Sequence, residues 1–397
     1  HKGVSVLIFD QTCAAEKRRK RKRGQMHDPL QRIMINHDVC EGCGDCSMQS
    51  SCVSIEPLET KLGRKRKINQ STCNKDYTCL KGFCPSFVSV DAQLQARITS
   101  HKIDGLPDPK HKVSDGVSNI ILTGIGGTGV LTVSAITAMA AHYEGKESTI
   151  LDMTGLAQKG GAVWSHIKIY EKNVKTFSHK IAPASANLFL ACDAVVGTKP
   201  EIQEVLSDKK TYSIINSDTI PVADFVTNRD LDFKDDEVLK VIDKTTKDID
   251  ITVPAIKIAE NLCGDAIAAN IMMLGAAYQL GHIPLKEESI KYAIKLNGIG
   301  VEKNIYSFNL GRLYAFNPKD KIFKFLNSFK EKEQTTESVL KDRLERLAIY
   351  DKKEIDFFNS KVNFTKDLIK NELETEELLK KTIKEIYRVI AVKDEYE

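Results

Sequence analysis

Seven of the ten cysteines in this 397-residue chain fall between Cys40 and Cys84, leaving only Cys13, Cys192 and Cys263 elsewhere. Their spacing is Cys40-x2-Cys43-x2-Cys46-x5-Cys52, then Cys73-x5-Cys79-x4-Cys84-Pro85. Three thiolates at two-residue gaps suit three corners of a cubane iron–sulfur cluster, because the turn aims successive side chains at one centre. A distant Cys followed by Pro suits the fourth corner. Gly42 and Gly44 let the loop curl and bring backbone N–H groups towards the sulfurs. A disulfide framework belongs to small secreted domains. A zinc ribbon needs paired CxxC knuckles or a His pair, and the second half of this segment has neither. The spacing therefore predicts one [4Fe–4S] cluster on Cys40, Cys43, Cys46 and Cys84. Cys52, Cys73 and Cys79 are left over, and three outcomes stay open for them: a second cluster with a non-cysteine ligand, a three-iron cluster, or none.

A second constellation lies further on. Gly124, Gly126 and Gly129 satisfy G-x-G-x-x-G, with Gly127 between them, directly after an apolar run and before a small-residue helix pattern. Bare backbone at such a turn lets an anion approach the helix N-terminus. Asp152 ends the next apolar run, near where a ribose-binding acid stands in a dinucleotide fold. Taken at face value this is an NAD(P) fingerprint, and an NAD(P)-linked iron–sulfur oxidoreductase is one reading. Against it, residues 153–161 form another polar, glycine-bearing loop containing Gln158, Lys159, Gly160 and Gly161, which would compete for the ribose space. Two such loops at one sheet edge suit a surface that meets another domain or another subunit's ligand. Ser165 and His166 follow on an alternating strand pattern. A histidine there is expected to be a satisfied or surface residue more often than a catalyst.

The elements that must position these groups can be read from the pattern around them. Of all residues 42% are hydrophobic and 28% charged, the balance of a folded globular chain. With 58 basic and 54 acidic residues the net charge is only +4, which implies no general affinity for nucleic acid. A third reading, a zinc-containing nucleic-acid binder, would rest on the basic runs at 17–23 and 64–67. The first of these reads better as a solvated linker, or as a docking point for an acidic electron carrier. No apolar stretch reaches the ~18 residues of a membrane helix, and no secretory signal is visible, so a cytoplasmic protein without a membrane partner is expected. Strands are expected at 4–9, 118–123, 149–152, 163–170, 188–190, 194–197 and 212–216, with helices at 130–142, 256–262 and 266–280. Alternation of strand and helix predicts an α/β fold with a Rossmann-like, mostly parallel sheet. A small ferredoxin-like iron–sulfur domain would precede it and a Lys-, Glu- and Leu-rich helical region follow.

The motifs together resemble a known family. The pairing of GIGGTGV (124–130) with GLAQKGGAVWSHIKI (155–169) resembles the γ domain of 2-oxoacid:ferredoxin oxidoreductases. CEGCGDC (40–46) and CNKDYTCLKGFCPSF (73–87) are similar to the ferredoxin domain of the fused indolepyruvate type. DQTCAAEKRRKRKRG (10–24) resembles the end of that type's thiamine-diphosphate domain, and the segments at 264–285 and 297–312 the end of its γ domain. The resemblance implies four parts: 1–30, the end of a thiamine domain with a basic linker; 31–103, the ferredoxin-like domain; 114–317, the γ-like α/β domain; and 318–397, the helical region. It implies oxidative decarboxylation of a 2-oxo acid on thiamine diphosphate and Mg2+, with coenzyme A as co-substrate and ferredoxin as electron acceptor. Gln158, Lys159, Ser165 and His166 would line the interface with the thiamine site, and the full enzyme would be a homo-oligomer. No Gly-Asp-Gly segment is followed by a diphosphate-binding Asn pair, since Gly264-Asp265 lacks the third Gly. The chain is thus expected to be the middle of a longer polypeptide, inactive without thiamine-binding domains.

Overall fold

Basic residues are good helix formers when a cap starts the helix, and the run at 17–23 shows it. In the computed structural model it belongs to helix α1 (Ala14–Lys22), whose first turn is capped by Cys13 Sγ accepting from the Glu16 N–H at 3.4 Å. The linker expectation is corrected: Arg18 and Arg21 donate to the carbonyls of Thr72 and Asn74, at 3.3 and 2.6 Å. The strand expected at 4–9 is not formed among its described residues, and Val4, Val6, Leu7 and Ile8 are exposed. The structure describes the chain except residues 1, 9, 83, 93–100, 104, 113–115, 156–160, 175–177, 219–227, 229–234, 330–334, 351–352, 370–374 and 392–397.

The cysteine segment is built on two short ribbons. Strand β1 (Gln31–Ile35) pairs antiparallel with β4 (Phe87–Asp91), from Gln31 opposite Asp91 to Ile35 opposite Phe87. Between them in sequence come helix α2 (Asp45–Ser50), strands β2 (Ile55–Thr60) and β3 (Gly63–Ile68), which form the second ribbon, and a helical turn at Thr78–Leu80. Its core is small: Ile35, Cys40 and Ile55 are buried, with Cys46, Cys52, Ile68, Cys79 and Phe87 packed around them.

Beyond it lies a six-stranded sheet in the order β10-β9-β8-β5-β7-β6. The strands are β5 (Val117–Ile125), β6 (Glu147–Met153), β7 (Ala162–Tyr170), β8 (Leu188–Ala191), β9 (Tyr212–Asn216) and β10 (Asp248–Val253). Only β7 runs against the others, so the sheet is mostly parallel, as the alternation predicts. Helix α3 (Val130–Tyr143) leaves the glycine loop and covers β5, β6 and β7. On one face Ile121, Phe189, Ile202, Ile215 and Ile242 form a fully buried core. Residues 194–197, expected as a strand, are the short helix α4 (Ala194–Gly197): Asp193 Oδ1 accepts from the Val196 N–H at 2.8 Å, a cap that overrides the β-branched pair. Helix α5 (Asp235–Thr245) packs near α4.

The expected helices at 256–262 and 266–280 are each broken. A turn at Ala255–Ile258 widens into a π-helical turn at Ala259–Cys263, and a 3-10 turn at Ala266–Ala268 opens α6 (Ala269–Gln279). Helices α7 (Glu287–Asn297) and α8 (Val301–Phe316) complete the layer. Close approach of α6 to α8 rests on two glycines. A Cβ on Gly275 would stand 2.0 Å from the Phe308 carbonyl oxygen, and one on Gly311 would stand 1.9 Å from that of Met272. The linker before the sheet is pinned to this layer: Arg312, nearly fully buried, donates to Gln279 Oε1 at 2.8 Å and to the Pro107 carbonyl at 3.2 Å, and pairs with Glu287.

The chain divides into two compact units, residues 1–58 with 65–324, and residues 59–64 with 325–397. The second is the expected helical region. Helices α9 (Thr336–Tyr350), α10 (Lys353–Leu368) and α11 (Thr375–Ile390) bury Val339, Leu347, Phe358, Val362 and Ile383 between them. Arg343 of α9 is buried, lies over the Tyr387 ring at 5.1 Å and donates to the Lys61 carbonyl. Among the described residues no helix is long and apolar enough to cross a membrane.

Candidate functional site

None of the ten cysteines forms a disulfide. The seven of the cysteine segment sort into groups by their electrostatic neighbours. Burial, reinforced by the Cys40 and Cys43 thiols, pushes the Cys46 thiol up to about 11. Burial, reinforced by Cys52 and Cys73, pushes Cys79 up to about 11, and Cys73 is raised by burial with Cys52 beside it. So Cys46 neighbours Cys40 and Cys43, and Cys79 neighbours Cys52 and Cys73. Cys84 Sγ lies 3.0 Å from Ser86 Oγ. Thiols raised in this way are protonated at neutral pH, and metal must displace those protons to bind.

The donor set fits iron–sulfur clusters in its chemistry. Backbone N–H groups already point at sulfur: Gly42 donates to Cys40 Sγ at 3.3 Å and Lys75 to Cys73 Sγ at 3.4 Å. Among the described residues no three His, Cys, Asp or Glu side chains close on the geometry of a single ion. A lone zinc ion draws its sulfurs to about 2.3 Å from one point. A cubane carries each thiolate on a different iron, so its ligands ring a volume.

The segment carries an internal repeat that the cysteine count alone does not show. Ile35-Asn36-x3-Cys40 recurs 33 residues on as Ile68-Asn69-x3-Cys73. The hydrogen bonds recur with it. Asn36 Oδ1 accepts from the Asp38 N–H at 3.1 Å, and Asn69 Oδ1 from the Ser71 N–H at 2.9 Å. The N–H of Cys40 donates to the Asn36 carbonyl at 2.9 Å, and that of Cys73 to the Asn69 carbonyl at 3.0 Å. The halves are also exchanged: the Asn36 N–H donates to the Ser86 carbonyl and the Asn69 N–H to the Ser54 carbonyl, at 2.7 and 2.8 Å. Ser54 follows Cys52 and Ser86 follows Cys84, so each half sends its last cysteine towards the other half's loop. This swap supports the set Cys40, Cys43, Cys46 and Cys84.

Beside this segment, at the carboxyl ends of β5, β8 and β9, a cleft of about 300 Å³ opens. Gly127, Thr128, Cys192, Asn216 and Asp218 line its sheet side, and Arg18, Glu56, Lys67 and Asn69 its cysteine-segment side. Asn216 organises the sheet end. Its Nδ2 donates to the carbonyls of Cys192 and Asp218, at 3.1 and 3.3 Å, and its Oδ1 accepts from the N–H groups of Asp218 and Ala255, both at 3.1 Å. Asn69 crosses the cleft, donating to Glu56 Oε1 at 2.7 Å and to Glu260 Oε1 at 3.1 Å. Burial, with Glu56 nearby, holds the Glu260 carboxyl above the usual carboxylate range. Arg18 reaches the same cleft from α1, and burial lowers its pKa.

Gly161, at the end of the second glycine loop, meets the first loop. The Gly126 N–H donates to the Gly161 carbonyl at 2.7 Å, and Asn270 Nδ2 donates to the Thr128 carbonyl at 2.9 Å. Gly127 and Gly129 take φ of 85° and 97°, and a Cβ on Gly124 would meet Val130 Cγ2 at 2.5 Å. Gln158, Lys159 and Gly160 lie outside the described residues. Asp152 does not stand where a ribose-binding acid would. Strand β7 separates β6 from β5, and Asp152 Oδ1 accepts from the hydroxyls of Ser134, at 3.2 Å, and Ser165. Ser165 and His166 are buried. His166 Nδ1 accepts from the Ile181 N–H at 3.3 Å, and burial, then Lys180 and Lys168, brings its pKa down to about 4. It is a satisfied, neutral interior histidine. The residues that sequence reasoning missed are Asn69, Asn216, Glu260 and Arg18. Of these only Asn69 had a signal, its match to Asn36.

Comparison with known proteins places the sheet domain. The family model described as pyruvate ferredoxin/flavodoxin oxidoreductase matches residues 119–314. The chain is 27% identical over 196 residues to indolepyruvate oxidoreductase subunit IorB of Archaeoglobus fulgidus, covering 49% of this chain and 92% of that protein. It is 29% identical over 219 residues to ketoisovalerate oxidoreductase subunit VorA of Methanothermobacter marburgensis, covering 55% of this chain and 40% of that protein. Among solved structures, pyruvate oxidoreductase subunit PORC of Thermotoga maritima matches 50% of this chain and 96% of its own, at 21% identity and a TM-score of 0.35. Residues 119–314 therefore carry a pyruvate ferredoxin/flavodoxin oxidoreductase domain, a match that supports the γ-type portion of a 2-oxoacid:ferredoxin oxidoreductase.

Proposed function

We propose that this chain is the electron-transfer and γ portion of a thiamine-dependent 2-oxoacid:ferredoxin oxidoreductase of the indolepyruvate type, acting in the cytoplasm. The reaction is oxidative decarboxylation to acyl-CoA and CO2, with ferredoxin as acceptor and the thiamine-binding domains, which bring thiamine diphosphate and Mg2+, as partners within a homo-oligomer. The observation that carries this reading is the juxtaposition, in one compact unit, of the γ-type sheet edge with a segment of seven cysteines, six of which fall into two groups of three. An iron–sulfur cluster, when bound, accepts electrons one at a time and at low potential. Cys40, Cys43, Cys46 and Cys84 would hold it, and the N–H groups aimed at sulfur would stabilise its reduced form. The cleft between cluster loops and sheet is the place where a co-substrate such as coenzyme A can approach. Asp152, tied to two serine hydroxyls and a strand away from the glycine loop, gives the NAD(P) reading no ribose partner.

The test is anaerobic purification of the whole chain followed by metal analysis. A brown protein absorbing broadly near about 400 nm, with at least about four irons per chain, is expected. Stoichiometric zinc in place of iron overturns the reading. Ferredoxin reduction by a 2-oxo acid and coenzyme A should appear only after the thiamine-binding domains are added. Reduction of the clusters by NADH alone overturns it in favour of the dinucleotide alternative.

A further inference from the structure

Resting on the cluster reading above, we propose that Asp76 is a cluster ligand, and that Cys52, Cys73, Cys79 and Asp76 hold a second iron–sulfur cluster with one carboxylate-bound iron. The sequence places Asp76 in the repeat where the first half has a thiol: Cys40-x2-Cys43-x2-Cys46 becomes Cys73-x2-Asp76-x2-Cys79.

The backbone makes the same substitution. Gly42 and Gly44, on either side of Cys43, take φ of 72° and 81°. Lys75 and Tyr77, on either side of Asp76, take φ of 54° and 58°. The left-handed region is easy for glycine and strained for Lys and Tyr. Two of the four non-glycine residues with positive φ among the described residues thus flank this one aspartate. Strain of this kind persists where a surrounding structure enforces it, and it marks functional loops. Each loop then enters a helical turn directly: Gly44 is the N-cap of α2, and Tyr77 that of the turn at Thr78–Leu80. The donors to sulfur match too, Gly42 to Cys40 and Lys75 to Cys73. Cys43 and Asp76 are both exposed at the rim of their loops.

The side chain is held for the task. Asp76 Oδ1 accepts from the N–H and hydroxyl of Thr78, at 3.2 and 2.8 Å, which leaves Oδ2 to face iron. Asp76 also lies near enough to both Cys73 and Cys79 to act on their thiols electrostatically, so the carboxylate and the three sulfurs of this group share one neighbourhood. A carboxylate is a harder and weaker partner for cluster iron than a thiolate. The iron it holds is therefore the one that leaves. Loss of that iron takes a [4Fe–4S]2+ core to [3Fe–4S]0 and Fe2+, with charge and electrons conserved. A one-electron oxidant such as ferricyanide then takes [3Fe–4S]0 to [3Fe–4S]+, which electron paramagnetic resonance detects as a near-isotropic signal.

The experiment uses the whole chain, reconstituted anaerobically with iron and sulfide, then treated with a chelator and ferricyanide. Wild type is expected to fall from about eight to about seven irons and to show the three-iron signal, which Fe2+ added with a reductant such as dithionite reverses. Asp76→Cys should keep all its iron and show no such signal. Asp76→Ala should show the signal with ferricyanide alone, without the chelator, and not regain the iron with Fe2+ and dithionite. Two outcomes overturn the proposal while the cluster reading stands: wild type that resists the chelator as Asp76→Cys does, or wild type with about four irons that Asp76→Cys does not raise. A chain that takes up no iron, or takes zinc, fails the cluster reading itself. Circular dichroism of each variant separates loss of the ligand from loss of the fold.

Discussion

His166 and Asn216 show how two polar residues inside one sheet carry opposite duties. His166 is held neutral, with its pKa near 4 against about 6.5 in an unfolded chain. A depressed histidine contributes stability that is complete above the unfolded pKa and is lost as pH falls towards the folded one. Unfolding free energy should therefore drop by about 3 kcal/mol between pH 6.5 and 4 on this account. His166→Gln should flatten that part of the curve, as denaturant melts across pH would show; equal slopes in both proteins would deny the assignment. Asn216→Ala strips four hydrogen bonds from the sheet edge and leaves buried partners unsatisfied, so it should cost about 2–4 kcal/mol in the same melts. At this scale the sequence was legible where residue type and spacing repeat, as with the cysteines and glycines. It was mute for Asn216 and Glu260, single polar residues whose partners come from distant strands and turns. His166 reads as more often satisfied than catalytic, because an alternating strand sends every second side chain inward, and the structure buries it with a hydrogen bond from the Ile181 N–H.

Among the elements, the pairing of α6 with α8 is set by two missing side chains. Gly311→Ala or Gly275→Ala forces a methyl group into a backbone carbonyl and should destabilise by about 3 kcal/mol. Gly82→Ala, where a Cβ meets nothing within 4 Å, should change stability by about 0.5 kcal/mol or less. Thermal melts of the three variants check the contrast. Small residues at Ala268, Ala269, Gly275 and Ala276 permit this close approach, but the sequence does not name the partner helix. Five of the six strands of the sheet were legible from their apolar runs; β10, with three acidic or polar positions among six, was missed, and so was the reversal of β7, since period-2 alternation is the same in either direction. Residues 194–197 were misread because four apolar residues are too few to show a period. The capping carboxylate of Asp193 decided the matter.

At the scale of the molecule, Asn69 ties the cysteine segment to the sheet domain by bridging Glu56 and Glu260. Asn69→Asp would set a third carboxylate between two others, and like charges repel. The variant should expose the connecting segment at 101–112 and raise its proteolysis several-fold over wild type, with the helical unit at 325–397 unaffected; unchanged cleavage would argue that other contacts hold the two parts together. The 33-residue repeat has one more consequence. It sets two loops of the same backbone design in one chain, one lined with three sulfurs and the other with two sulfurs and a carboxylate. Whatever is done to the molecule is done to both at equal concentration, temperature and folded fraction. A ratio of alkylation or label uptake between Cys40 and Cys73 therefore needs no external standard, since the chain brings its own reference.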